Sequence, residues 1–214
     1  MAHRFIIVCV VLMTAAAGGC SRGEKPTAPP ATTASPADAP PTKRVVGPLS
    51  EDDARALRTM NDRIGEYVTF HQKIEKSLPK LPKEATPQQI DRNQRAFEQR
   101  VRSERAGAKQ GDIFTPDAQA VIRRLLATVF GAPDGKALKA SIMDENPADP
   151  VTLKVSVNAR YPDTVPLTTI PPEVLQTLPQ LSEDLEYRFV GDWLILLDTH
   201  AHVVVDYIED VLPK

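Results

Sequence analysis

From Ser50 onward, apolar positions recur first with a helical period and then with a strand period. Leu57, Met60, Ile64, Tyr67, His71, Ile74 and Leu78 fall at alternating steps of three and four, an a/d seam sustained for three heptads. Ser50 is a good N-cap, and Glu51, Asp52 and Asp53 set negative charge at the positive helix end. Pro79 ends the pattern, so the spacing predicts a helix of roughly 43 Å. Thr86, Pro87 and Gln89 supply an N-cap, a first-turn proline and a capping box for a second helix to about Ala108. Its apolar stripe is thin: Ile90, Phe97 and Val101. The short connection 79–85 predicts an antiparallel helical hairpin. Thr115-Pro116-Asp117 opens a third helix. Val121, Ile122, Leu125, Leu126, Val129 and Phe130 fill more than one of its faces, which makes it the most buried. Gly131 stops it, and 134–144 reads as a short fourth helix.

The period then changes to two. Val151, Leu153, Val155 and Val157 alternate with Thr152, Lys154, Ser156 and Asn158, which predicts a strand with one buried face. The proline-rich stretch 162–182 must be a loop, with at most a helical turn at 172–177. Leu185, Tyr187 and Phe189 alternate again. Gly191-Asp192 fits a two-residue hairpin turn before the apolar run from Trp193 to Leu197, and Val203 to Ile208 is a further strand. Helices first and strands last give an α+β class. A helical hairpin and a buried helix precede a C-terminal antiparallel sheet of about four strands, with the third helix on one face. The expected domain is 49–214, helical over 49–146 and sheet over 147–214.

Residues 1–48 follow a different logic. His3 and Arg4 precede the apolar run from Phe5 to Met13, followed by Thr14 and small residues up to Gly19. This is the build of a secretory signal peptide over 1–19, too short to remain as a membrane span. Ala17-Gly18-Gly19-Cys20 resembles the lipobox of bacterial lipoproteins, with Ala17 where that family most often carries Leu. The resemblance implies lipidation of Cys20, cleavage before it and anchorage to a membrane. Several acyl chains would hold durably, since each buried methylene contributes roughly 0.8 kcal/mol. With Cys9 removed in the leader, the mature chain has one cysteine and no internal disulfide. Residues 20–48 hold seven prolines among Ala and Thr and cannot bury enough surface to offset their ordering entropy. They form a spacer reaching between about 30 Å as a coil and about 90 Å as a polyproline rod. Ser21, rather than Asp, follows the cysteine, which points to the periplasmic face of an outer membrane.

Charge narrows the partners. Without Arg4 the mature chain has 25 basic and 28 acidic residues, so no nucleic-acid or polybasic membrane surface is implied. The expected partners are the membrane, through the lipid, and a protein of the envelope. No cofactor is implied. The sequence lacks a Gly-x-Ser-x-Gly elbow, a phosphate-cradling glycine loop and a His-Glu-x-x-His pattern. Asp198, His200 and His202 are the concentrated set of potential ligands. Their spacing of two places them on one side of an extended segment, where two imidazoles and a carboxylate suit zinc or copper. A solvated hairpin turn explains the same residues more simply. His71 reads as a packed seam residue with no acidic neighbour to orient it, and Asp206 as a solvent-facing carboxylate beside Glu209 and Asp210. Arg92, Arg95, Arg102 and Arg105 approximate helical spacing, either as a solvated face balanced by Glu98 and Glu104 or as a docking face for an acidic partner. The heptad seam 57–78 could also mediate self-association. The segment from Tyr187 to Ile208 resembles the end of uncharacterised bacterial envelope proteins, which implies no activity. These features point to a non-enzymatic, lipid-anchored envelope module, with a metal-binding protein or hydrolase built on Asp198, His200 and His202 as the alternative.

Overall fold

The computed structural model describes residues 48–145, 148–166 and 170–213. The leader 1–19 and the tether 20–48, apart from its last residue, lie outside the described residues. Those described belong to one compact unit. Helix α1 spans Glu51–Ser77 and starts where Ser50 accepts the Asp53 amide. Helix α2 spans Pro87–Glu104 with the full Thr86/Gln89 capping box, and α3 spans Pro116–Phe130 behind the Thr115 cap. Helix α4 covers Gly135–Glu145, and α5 is one turn, Pro172–Leu175. Strands β1 (Leu185–Val190), β2 (Trp193–Asp198) and β3 (Val203–Ile208) form an antiparallel sheet in that order. None of the helices among the described residues is long and apolar enough to cross a membrane.

Helices α1 and α2 run antiparallel. Asn93 donates to the Pro79 carbonyl, Phe97 packs on His71, and Arg105 lies over the Tyr67 ring. Rising positions on α2 therefore meet falling positions on α1. The heptad seam faces inward: Met60, Ile64 and Tyr67 join Ile122, Leu126 and Val129 of α3 in the main core. That seam is occupied within the chain, which removes the basis for self-association through it. Leu185, Tyr187 and Phe189 of β1, with Leu194 and Leu196 of β2, present the sheet's inner face to the same core. A bulge between Leu196 and Leu197 shifts the β2–β3 register. The β1–β2 turn is Gly191-Asp192, closed by the Val190–Trp193 pair. Gly191 sits at φ +56°, where a side chain is strained.

The sheet has three strands among the described residues, not about four. The expected strand at 151–158 is a run of turns. The Asp149 carboxylate accepts from the Val151 and Thr152 amides, and the amides of Leu153, Lys154 and Val155 bond to carbonyls three to five residues back. Lys154 and Asn158 take positive φ of 54° and 62°. Local bonds thus consume the donors a ladder would use. The alternation is still used, because Leu153 and Val155 pack on the outer sheet face with Ile195, Leu197 and Val204. Residues 158–161 then shield the free edge of β3, through Asn158 N to Val204 O and Tyr161 N to His202 O.

Candidate functional site

Polar groups from α1, α2 and the β2–β3 turn converge where the hairpin meets the sheet. Tyr67, His71 and Glu75 stand at successive four-residue steps on α1 and so share one face. Tyr67 and His71 fall on the seam, and both point into the interior. A polar tip on a buried seam needs a partner, and the last residue of β2 provides it. Asp198 is fully buried. Its Oδ2 accepts from the Tyr67 hydroxyl at 2.8 Å and from His71 Nδ1 at 2.7 Å. Its Oδ1 accepts from the backbone amides of His200 at 3.0 Å and Ala201 at 2.7 Å. One carboxylate therefore shapes the β2–β3 turn and fastens α1 to it.

These bonds fix the state of the two α1 side chains. Burial pushes the Tyr67 hydroxyl well above its usual range, and the neighbouring Asp198 charge adds to the shift. Tyr67 thus keeps its proton and donates. Burial alone would lower the His71 pKa, but the Asp198 hydrogen bond and the Asp198 and Asp184 charges more than offset this, so it ends above its ordinary value. Because Asp198 only accepts, His71 Nδ1 carries a proton. That leaves Nε2, which is buried and has no hydrogen-bond partner among the described residues. The nearest carboxylate oxygen to it is Asp184 Oδ1 at 3.5 Å.

His200 is positioned in a matching way. Its Nε2 lies 3.0 Å from Asn93 Oδ1 of α2 and donates to that amide oxygen, so Nδ1 is turned to Glu75 Oε1 at 3.6 Å. Phe97 packs against both imidazoles, with ring centroids 4.7 Å from His71 and 4.6 Å from His200, and the two imidazoles lie 5.9 Å from each other. One ligand atom from each of His71, Glu75 and His200 lies within 4.8 Å of the other two. Glu75 is exposed and His200 half-buried, so the group opens to solvent on one side.

The residues singled out from sequence are thus divided. Asp198 and His200 belong to this cluster, but the oxygens of Asp198 already accept four hydrogen bonds. His202, at φ +57°, turns to the 161–163 loop, against the edge of Tyr161 and 3.3 Å from Asp163. The period-two argument fails here because 199–202 is a turn, not an extended strand. His71 is oriented by a carboxylate after all, one distant in sequence. Asp206 does not face solvent. It is fully buried, because the bulge turns it inward, and it accepts from the amides of Gly111, Ile113 and Phe114. It thereby pins the α2–α3 connection to β3. Glu75, Asn93, Asp184 and Tyr67 were not singled out as site residues. The four-residue spacing of Tyr67, His71 and Glu75 was the available signal.

Of the four arginines, three are committed within the chain. Arg95 pairs with Asp91, Arg102 pairs with Glu98 and donates to the Asn158 carbonyl, and Arg105 donates to Asn158 and Val205 while covering Tyr67. Arg92 is exposed. Comparison with protein-family models, curated proteins and solved structures finds no match to this chain, so its chemistry is read from its own residues.

Proposed function

We propose that this chain is an exported, lipid-anchored envelope protein that acts by binding, and that its ligand site is the His71–Glu75–His200 cluster at the hairpin–turn junction. The observation that carries the binding half is a buried ring nitrogen, His71 Nε2, left without a partner while its other nitrogen is held at 2.7 Å by Asp198. A buried polar atom without a partner costs about 1–3 kcal/mol. A ligand that fills it recovers that cost. The committed arginines favour this junction over the second helix as the working surface.

The anchor half is supported by the order of segments in residues 1–48: a leader, a small-residue approach to Cys20, then a proline-rich spacer. The spacer would hold the site tens of ångströms from the bilayer, facing the periplasm from the outer membrane. Replacing Cys20 by Ser is the direct test of this half. The native chain should sediment with membranes, resist a salt wash and carry acyl mass on Cys20. The variant should appear in the soluble fraction. A native chain with an unmodified thiol, released by salt, would refute the anchor.

A further inference from the structure

We infer that the junction cluster is a zinc site, in which His71 Nε2, Glu75 and His200 Nδ1 supply three ligands to one Zn²⁺ ion. The inference rests on the binding reading above and names the ligand. Three features carry it: the chemistry of the donors, the way they are held, and their spacing.

The first is donor chemistry. Two imidazoles and a carboxylate form a nitrogen–oxygen set that suits a divalent transition ion and is poorly matched to calcium or magnesium, which take oxygen ligands. The second is the state of the donors. A ligating histidine characteristically gives its other ring N–H to a carboxylate or carbonyl, which fixes the tautomer and aims the lone pair. Both histidines here are held that way, His71 by Asp198 at 2.7 Å and His200 by Asn93 at 3.0 Å. The remaining nitrogens are His71 Nε2, 3.5 Å from Asp184 Oδ1, and His200 Nδ1, 3.6 Å from Glu75 Oε1. The third is size. Zinc bonds of about 2.0–2.2 Å in a tetrahedron set ligand atoms about 3.3 Å apart. His200 Nδ1 and Glu75 Oε1 are 3.6 Å apart, and the set as a whole lies within 4.8 Å, so closure needs movement of up to about 1.5 Å. Glu75 and His200, the two ligands on the solvent side, would supply it.

The fourth position falls to Asp184 or to water. Asp184 Oδ1 lies 3.5 Å from His71 Nε2, on a side chain that is 26% exposed, just before β1. That separation is close to a tetrahedral edge. Asp184 is therefore the side chain placed to complete the shell. Asp198, its oxygens shared among four donors, is a positioning residue rather than a ligand.

The test uses the mature chain extracted in mild detergent, without a polyhistidine tag. The protein is stripped with chelator and titrated with zinc chloride by calorimetry, with cobalt(II) as a spectroscopic probe of tetrahedral coordination. The native chain should take up one equivalent. Glu75→Gln, at an exposed position, and His200→Ala, at a half-buried one, should keep the far-ultraviolet circular dichroism of the native fold. Each should weaken binding by at least about tenfold, since even loss of an outer-shell partner costs about 10–100-fold. Asp184→Asn should weaken it less, and His202→Ala should bind as the native chain does. No saturable zinc uptake, or native affinity in both Glu75→Gln and His200→Ala, would overturn the inference. Cys20→Ser separates this from the anchor: it should bind zinc unchanged, with no thiol to contribute. A chain that stays on membranes yet takes no zinc refutes the metal alone, and one that binds zinc but never stays on membranes refutes the anchor alone.

Discussion

Replacing Asp198 by Ala should be among the most damaging single changes in the domain, and its cost can be worked from the bonds it removes. The carboxylate accepts from Tyr67, His71, His200 N and Ala201 N, and it is fully buried. Each buried donor left unpaired costs about 1–3 kcal/mol, so four would sum to about 4–12 kcal/mol if nothing relaxed. Half-buried His200 gives water a route to the turn amides, which trims that range. Breaking a buried charged pair by deleting one partner typically costs about 3–5 kcal/mol. The expected loss is therefore about 4 kcal/mol, out of a total stability of about 5–15 kcal/mol for a typical domain. Equilibrium urea unfolding in the presence of chelator isolates this effect from any metal. With a slope of about 2 kcal/mol/M, the midpoint should fall by about 2 M. Asp198→Asn retains an acceptor for the turn amides and should fall between Ala and native. Tyr67→Phe removes one donor and should cost about 1 kcal/mol. A loss below about 1 kcal/mol for Asp198→Ala would refute the claim that this carboxylate joins hairpin to sheet.

Other substitutions probe the surroundings. Phe97 is fully buried against both imidazoles, so Phe97→Ala should cost about 3–5 kcal/mol in thermal or urea unfolding; a loss under about 1 kcal/mol would show that the rings do not depend on it. Gly135→Ala would drive a Cβ into the backbone of Phe130 and should destabilise by about 1–3 kcal/mol, whereas native stability would mean that α4 shifts freely away from α3. Arg95→Ala removes only exposed pairs with Asp91 and Asp163 and should stay within about 0.5 kcal/mol of native; a larger loss would show that α2 leans on its surface charges.

Much of the helical part was legible because its signals are local. Ser50, Thr86 and Thr115 cap the helices they were expected to cap, and Gly191-Asp192 closes the hairpin. The apolar stripe of α3 is buried as its composition implied. The segment 151–158 misled because its alternation of apolar and polar residues describes burial, and burial does not require a strand. Leu153 and Val155 reach the sheet from consecutive turns. The site was less legible, because its decisive contacts span long stretches of chain. His71 and Asp198 are 127 residues apart, and His200 and Asn93 are 107 apart. No periodicity along one segment could pair them. The bulge at Leu196/Leu197 had a similar effect on Asp206, turning an expected surface carboxylate into the anchor of a loop.

Thermal unfolding of the mature chain with and without zinc tests the junction site most directly. Free zinc at about one hundred times its dissociation constant should stabilise the fold by about 2.7 kcal/mol. For a domain of this size that corresponds to a rise in Tm of roughly 5–11 °C, cut to about half or less in His200→Ala by a loss of affinity of tenfold or more. An unchanged Tm across a zinc titration to saturating concentration, or an equal rise in His200→Ala, would contradict the account.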